Sequence, residues 1–142
     1  GSIELYEDNV KKFETAPGGV ALTGGAAANI QAVNSSSNTV TLDMATACHF
    51  VIGDPDPSVS PKVLTENTNF AAPTNQAVGQ AGSIFIKQDG TGSRTVTFNT
   101  AFKFVGGTVP TMSTAAGAVD RVDYIVFASG DIHCAVSLDV KR

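Results

Sequence analysis

Charge is scarce in this chain. Asp, Glu, Lys and Arg make up 15% of its 142 residues, and the net charge is −4. No basic cluster is present, which excludes nucleic-acid binding driven by electrostatics. Two cysteines, Cys48 and Cys134, are too few for a disulfide scaffold. No run of apolar residues approaches the ~20 that a membrane-spanning helix needs. Helix formers are also short: 5 Leu and 4 Glu stand against 16 Val and 15 Thr, a balance that predicts strands. No secretory signal is visible, and Gly1-Ser2 reads as a cloning scar, so an excised fragment of a longer chain is expected.

What is present is turn chemistry between short extended stretches. The 14 Gly and 6 Pro supply the turns. The length suits one domain, or one domain with a short appendage. A chain of this size buries roughly two-thirds of its unfolded surface, enough for one core without metal or disulfide staples. The low charge has two readings: a surface coated in Thr, Ser and Asn, or a surface partly covered by other copies of the chain.

Residues 3–6 and 10–15 read as a hairpin around Asp8-Asn9, followed by a short extended stretch at 20–24. Two short strands do not stand alone in water, so they must lean on other copies or on sequence upstream. The glycines at 24–25 suggest a joint. A short strand is predicted at 29–33. At 39–44 alternation places Val40, Leu42 and Met44 on one face, and 48–52 is a further apolar strand. Three prolines make 53–62 a loop. A brief strand at 62–66 and irregular chain to residue 80 follow.

Two C-terminal hairpins are predicted. In the first, 83–87 turns through Asp89-Gly90 and Gly92 into 94–98. In the second, Val122, Tyr124 and Val126 share a face, and Ser129-Gly130-Asp131 turns the chain. Ile132, Cys134, Val136, Leu138 and Val140 then share a face in strict period two. The stretch 111–118 is a loop or one helical turn. The sum is all-β: eight to ten short strands in an antiparallel sandwich or jelly-roll.

Two regions carry a family resemblance. The stretch 5–15, Leu-Tyr-Glu-Asp-Asn-Val-Lys-Lys-Phe-Glu-Thr, followed by Gly19-Val20-Ala21-Leu22-Thr23-Gly24, resembles the hairpin repeat in the shafts of tailed-phage fibres. The stretch from Thr39 to Arg142 is similar to the head that ends such fibres. It carries a Val-Thr-Leu-Asp strand, Gly79-Gln80-Ala81-Gly82, Gln88-Asp89-Gly90-Thr91-Gly92-Ser93-Arg94-Thr95-Val96, and Ala118-Val119-Asp120 before the Tyr124 strand. The resemblance implies a homotrimeric fibre tip on the virion, used for host attachment and without catalysis. Residues 1–24 would end the shaft and 25–142 would form the head. The alternatives are a capsid-borne fibre, a purely structural virion component, and a carbohydrate-binding module. Trimeric tips of this kind often hold metal through His-x-His rings, and this chain has no His-x-His.

Cys48-His49 and His133-Cys134 are mirror-image pairs with the ligand count of a zinc site. Neighbours on a strand point to opposite faces, which argues against one ion and for core thiols with outward histidines. Asp54 and Asp56 sit two apart on a loop, but calcium takes about six to eight oxygens. No nucleophile-and-base phrase is present, so no enzyme is expected. Asp120 is read as a turn-fixing carboxylate that accepts backbone N–H bonds. Phe85, Phe98, Phe102, Phe104, Phe127 and Tyr124 are assigned to core or subunit interface. Receptor contact is expected on loops 53–62 and 88–94, at Asp54, Asp56, Asp89 and Arg94. No cofactor is expected.

Overall fold

The structure, a computed structural model, describes residues 3–24, 27–53 and 63–140. Three sheets are present among the described residues. The first is a meander of β1 (Glu4–Glu7), β2 (Val10–Ala16) and β3 (Gly19–Leu22), paired antiparallel in chain order. Its first turn is set by Asp8 and Asn9, at φ 48° and 61°. Two successive left-handed residues form the tight turn whose twist matches a hairpin.

The strands that follow are β4 (Ile30–Val33), β5 (Thr39–Val40), β6 (His49–Ile52), β7 (Thr68–Phe70), β8 (Ala81–Lys87), β9 (Val96–Phe98) and β10 (Phe102–Lys103). They alternate between two sheets. The even members join the large sheet and the odd ones the small sheet, which runs β5-β7-β9. Because the chain goes round rather than doubling back, β4-β6-β8 are parallel, and so are β5-β7-β9. A hairpin turn cannot make a parallel pair; a crossover must. Two further strands, β11 (Val119–Ala128) and β12 (Asp131–Ser137), complete the large sheet in the order β10-β12-β11-β8-β6-β4.

This winding corrects two expectations. The large sheet is mixed and the small one parallel, not antiparallel throughout. The segment 88–94 is a corner between sheets, because β8 pairs with β11 and β6 while β9 pairs with β7. The second hairpin is present, with Val122 opposite Val136 and Tyr124 opposite Cys134. Its last strand stops at Ser137, however. Asp139 takes φ 46°, which breaks the pleat, and Leu138 and Val140 are left about half exposed. The strand β7 lies in chain expected to be irregular. The brief strand expected at 62–66 is, among the described residues, a single bridge from Leu64 to Gln88.

One apolar cluster joins the large and small sheets. The large sheet contributes Phe50, Ile52, Ile84, Ile86, Val122, Tyr124, Val126 and Ile132 from alternate positions. Val40, Leu42, Met44 and Phe70 meet them from the other side. Phe70 and Phe98 stack at 4.7 Å, and Phe102 and Phe104 pack T-shaped with Phe98 at 5.4 and 5.1 Å. Such offset and edge contacts suit the ring quadrupole. Among the described residues no helix is long and apolar enough to cross a membrane.

Candidate functional site

The corner between β8 and β9 carries two of the four expected contact residues. Gln88, which ends the run from β8, is fully buried. Its amide donates to the carbonyls of Arg94 (2.8 Å) and Ser113 (2.9 Å), and its carbonyl oxygen accepts the Arg94 N–H at 3.0 Å. Asp89 then folds the loop on itself. One carboxylate oxygen accepts the N–H groups of Thr91 (3.0 Å) and Gly92 (2.6 Å), and the other meets the Arg94 guanidinium at 2.9 Å. Gly92 sits at φ +71°, and a Cβ there would lie 2.7 Å from the Thr114 carbonyl oxygen. Asp89 and Arg94 therefore neutralise each other. Asp54 and Asp56 lie outside the described residues.

The Arg94 guanidinium, followed by the Gly92 N–H, holds the Asp89 carboxyl below its ordinary value of 3.8. A depressed carboxyl contributes stability that is present above its unfolded pKa and is lost as pH falls through its folded value. Wild-type protein should thus lose stability on acidification below 3.8, and Asp89→Asn should flatten that part of the curve. Denaturant midpoints measured across that range check this. Equal slopes for the two proteins would refute it.

His133 and Cys134 follow the alternation, while Cys48, just before β6, is half-buried and not the core thiol expected. Cys134 is buried, with its thiol 3.5 Å from the Ile132 carbonyl oxygen. His133, on the other face, stacks on the exposed Phe127 at 5.0 Å and lies 3.3 Å from Asp131. His49 accepts the Ser83 N–H at 3.2 Å. Both thiols are free, and no group of three potential ligands gathers among the described residues. Burial pushes the Cys134 thiol up to about 12. Since the thiolate is the nucleophile, Cys134 of the native protein should resist alkylation at mildly alkaline pH and label only once the protein is unfolded. Peptide mass mapping reads the result; prompt labelling of Cys134 would contradict it.

Three side chains tie the scaffold together, and the phrases that carry the family resemblance contain them. Gln80 donates to the carbonyls of Met44 (2.8 Å) and Ala47 (3.2 Å). Gly82 faces Tyr124 across the ladder, and the Tyr124 hydroxyl donates to the Cys48 carbonyl at 2.8 Å. Burial raises the pKa of that hydroxyl to about 12, so it remains a donor. Asp120, inside β11 rather than before it, is buried and accepts the N–H groups of Ser113 (2.7 Å) and Asp139 (2.8 Å). The role as an acceptor of backbone N–H groups read from the sequence holds, but the donors lie in two distant segments and not in an adjacent turn. Spacing alone gives no sign that Gln80 and Gln88 are bonded inward, because glutamine is ordinarily a surface residue.

The meander has two unlike faces. Lys11 bridges Glu4 (2.6 Å) and Glu14 (2.8 Å) on one face. The register lines Leu5, Phe13 and Leu22 across the other, with Ile3 and Val20 beside them. In the single chain Ile3, Leu5, Val20 and Leu22 are 62, 58, 56 and 51% exposed. A two- or three-stranded piece with an uncovered apolar face is marginal in water by itself.

The profile of the phage tail fibre C-terminal domain family matches residues 55–131, just over half of the chain. The match spans β7 to the start of β12, including the Gln80, Gln88 and Asp120 ties. No curated protein matches, and no solved structure does. With its all-β winding and this match, the chain belongs to the phage tail fibre C-terminal domain family, and it is a virion component.

Proposed function

We propose that the chain is the homotrimeric tip of the fibre, that it attaches the virion to the host surface, and that it does so without catalysis. The observation that carries the reading is the bare apolar face of the meander. Three copies turned about one axis would cover Ile3, Leu5, Phe13, Val20 and Leu22 and leave the Lys11 ion pairs outside. A closed cyclic arrangement removes such a face without starting a filament. In this reading the two sheets of the head form a sandwich, and its loops meet the receptor. The loop at 53–62, with Asp54 and Asp56, supplies net negative charge. The 88–94 corner presents Asp89 and Arg94 as a neutral pair.

A capsid-borne fibre uses the same physics and differs only in where the other end of the chain is held. Attachment is tested by competition. Purified protein, added to host cells before phage, should delay adsorption in proportion to its concentration. No delay at saturating protein would leave a purely structural role. Protein lacking residues 1–24 should still form a folded trimer if the head carries most of the contact; a monomer would place the contact in the meander. Glycan arrays would identify a carbohydrate receptor.

A further inference from the structure

The small sheet ends in an open edge. Thr68 N–H donates to the Thr95 carbonyl at 2.9 Å, and Asn99 N–H donates to the Phe70 carbonyl at 2.8 Å. With Asn69 opposite Thr97, the β7 ladder uses residues 95, 97 and 99 of this strand. Bonding in a parallel pair falls on alternate residues. The N–H and C=O groups of Val96 and Phe98 therefore face away from β7, and no described residue pairs with them there. A groove of about 440 Å³ lies along that edge. Its far wall is the unpaired stretch Val109, Pro110, Thr111, Met112. Threonines make up most of the rest, and no charged side chain lines it.

We propose that this groove takes an extended, uncharged peptide segment, which adds to β9 as a fourth strand. The free groups of Val96 and Phe98 repeat every second residue, about 6.6 Å apart, which is the repeat of another strand. Alternate apolar side chains of the segment rest on Val109, Pro110 and Met112. A charged side chain entering this groove would lose water and meet no partner. A sugar fits less well. The one aromatic ring in the groove, Phe98, is already stacked on Phe70 and packed T-shaped against Phe102 and Phe104, which leaves it little free face for stacking on a sugar. The inference does not depend on trimer formation or host attachment.

Hydrogen exchange of the full chain, followed by NMR, tests it, with the blocked pentapeptide acetyl-Ser-Val-Thr-Val-Ser-amide as probe. At millimolar peptide the amides of Val96 and Phe98 should exchange about tenfold more slowly, the change expected when an open amide becomes bonded in most molecules. Val96→Pro removes an outward donor without touching the β7 ladder and should weaken binding about fivefold. Val109→Asp, at an exposed position, leaves the edge intact, puts a charge in the groove, and should weaken binding about tenfold. Unchanged exchange at both amides, or equal affinity in the Val109→Asp variant, overturns the proposal. So does protection by a neutral oligosaccharide in place of the peptide. Protection of both amides in the free protein that disappears on dilution would assign the edge to a second copy and would also overturn it.

Discussion

Gly82→Ala is expected to destabilise the fold by roughly 3 kcal/mol or more, at the upper end of overpacking effects. Gly82 lies on β8 between β6 and β11. A Cβ there would overlap the Cys48 carbonyl oxygen, come within 2.7 Å of the Cys48 carbonyl carbon, and within 2.9 Å of the Tyr124 hydroxyl. Those two groups are hydrogen-bonded to each other at 2.8 Å. The clash is with backbone, so no rotamer change relieves it. Either β6 moves away from β8, breaking the parallel ladder that starts at His49 and Ser83, or the Tyr124 bond is lost. Gly90→Ala is the control. A Cβ at Gly90 meets nothing within 4 Å, and its φ is ordinary. Its stability should lie within about 0.5 kcal/mol of wild type. Denaturant melts of the three proteins decide the matter, and a Gly82→Ala midpoint equal to that of Gly90→Ala would refute the packing argument.

Asp120→Ala should cost about 3 kcal/mol, because it strips a charged acceptor from two backbone donors at once. The Ser113 N–H belongs to the loop that walls the groove, and the Asp139 N–H belongs to the chain after β12. The carboxylate thus fixes two segments that make few regular bonds of their own. Asp120→Asn keeps one acceptor and turns an amide N–H toward the other donor, so it should recover less than half of the loss. Hydrogen exchange should localise the damage to residues around 113 and 139. A variant that loses stability without faster exchange at those two amides would assign the effect to cavity formation instead.

Period-two patterning carried the sequence reading wherever a strand has one buried face. Val122, Tyr124 and Val126 alternate with polar residues, and all three are buried. Val40, Leu42 and Met44 are buried as their spacing required, although only Thr39–Val40 forms a strand. Strand partners were legible only where a tight turn joins neighbours, as in β1-β2 and β11-β12. Gln88 to Gly92 has the composition of a hairpin turn, yet the same residues build a corner between sheets. The difference lies in contacts with Ser113 and Thr114, far along the chain. Asn67, Asn69 and Thr97 hid β7, because their bonds run to β9: Asn67 accepts the Thr95 N–H, and Thr97 donates to Asn69. Local propensity carries no record of such long-range pairing.

For the site, loop 88–94 was located correctly as a loop. Sequence alone gave no sign that Asp89 and Arg94 would satisfy each other. The mirror pairs of cysteine and histidine read as structural from alternation; His133 and Cys134 display it, whereas Cys48 precedes β6 and is half-buried, not in the core. The bare face of the meander was implicit in Leu5, Phe13 and Leu22, but it needed the register to bring them into one row.

The mass in solution, by light scattering coupled to size exclusion, tests the central claim most directly. One chain weighs 14.6 kDa. The trimeric-tip account expects three chains per particle, unchanged on dilution into the low micromolar range. A particle of one chain would contradict it, because the apolar face of the meander would then stand in water with nothing to cover it.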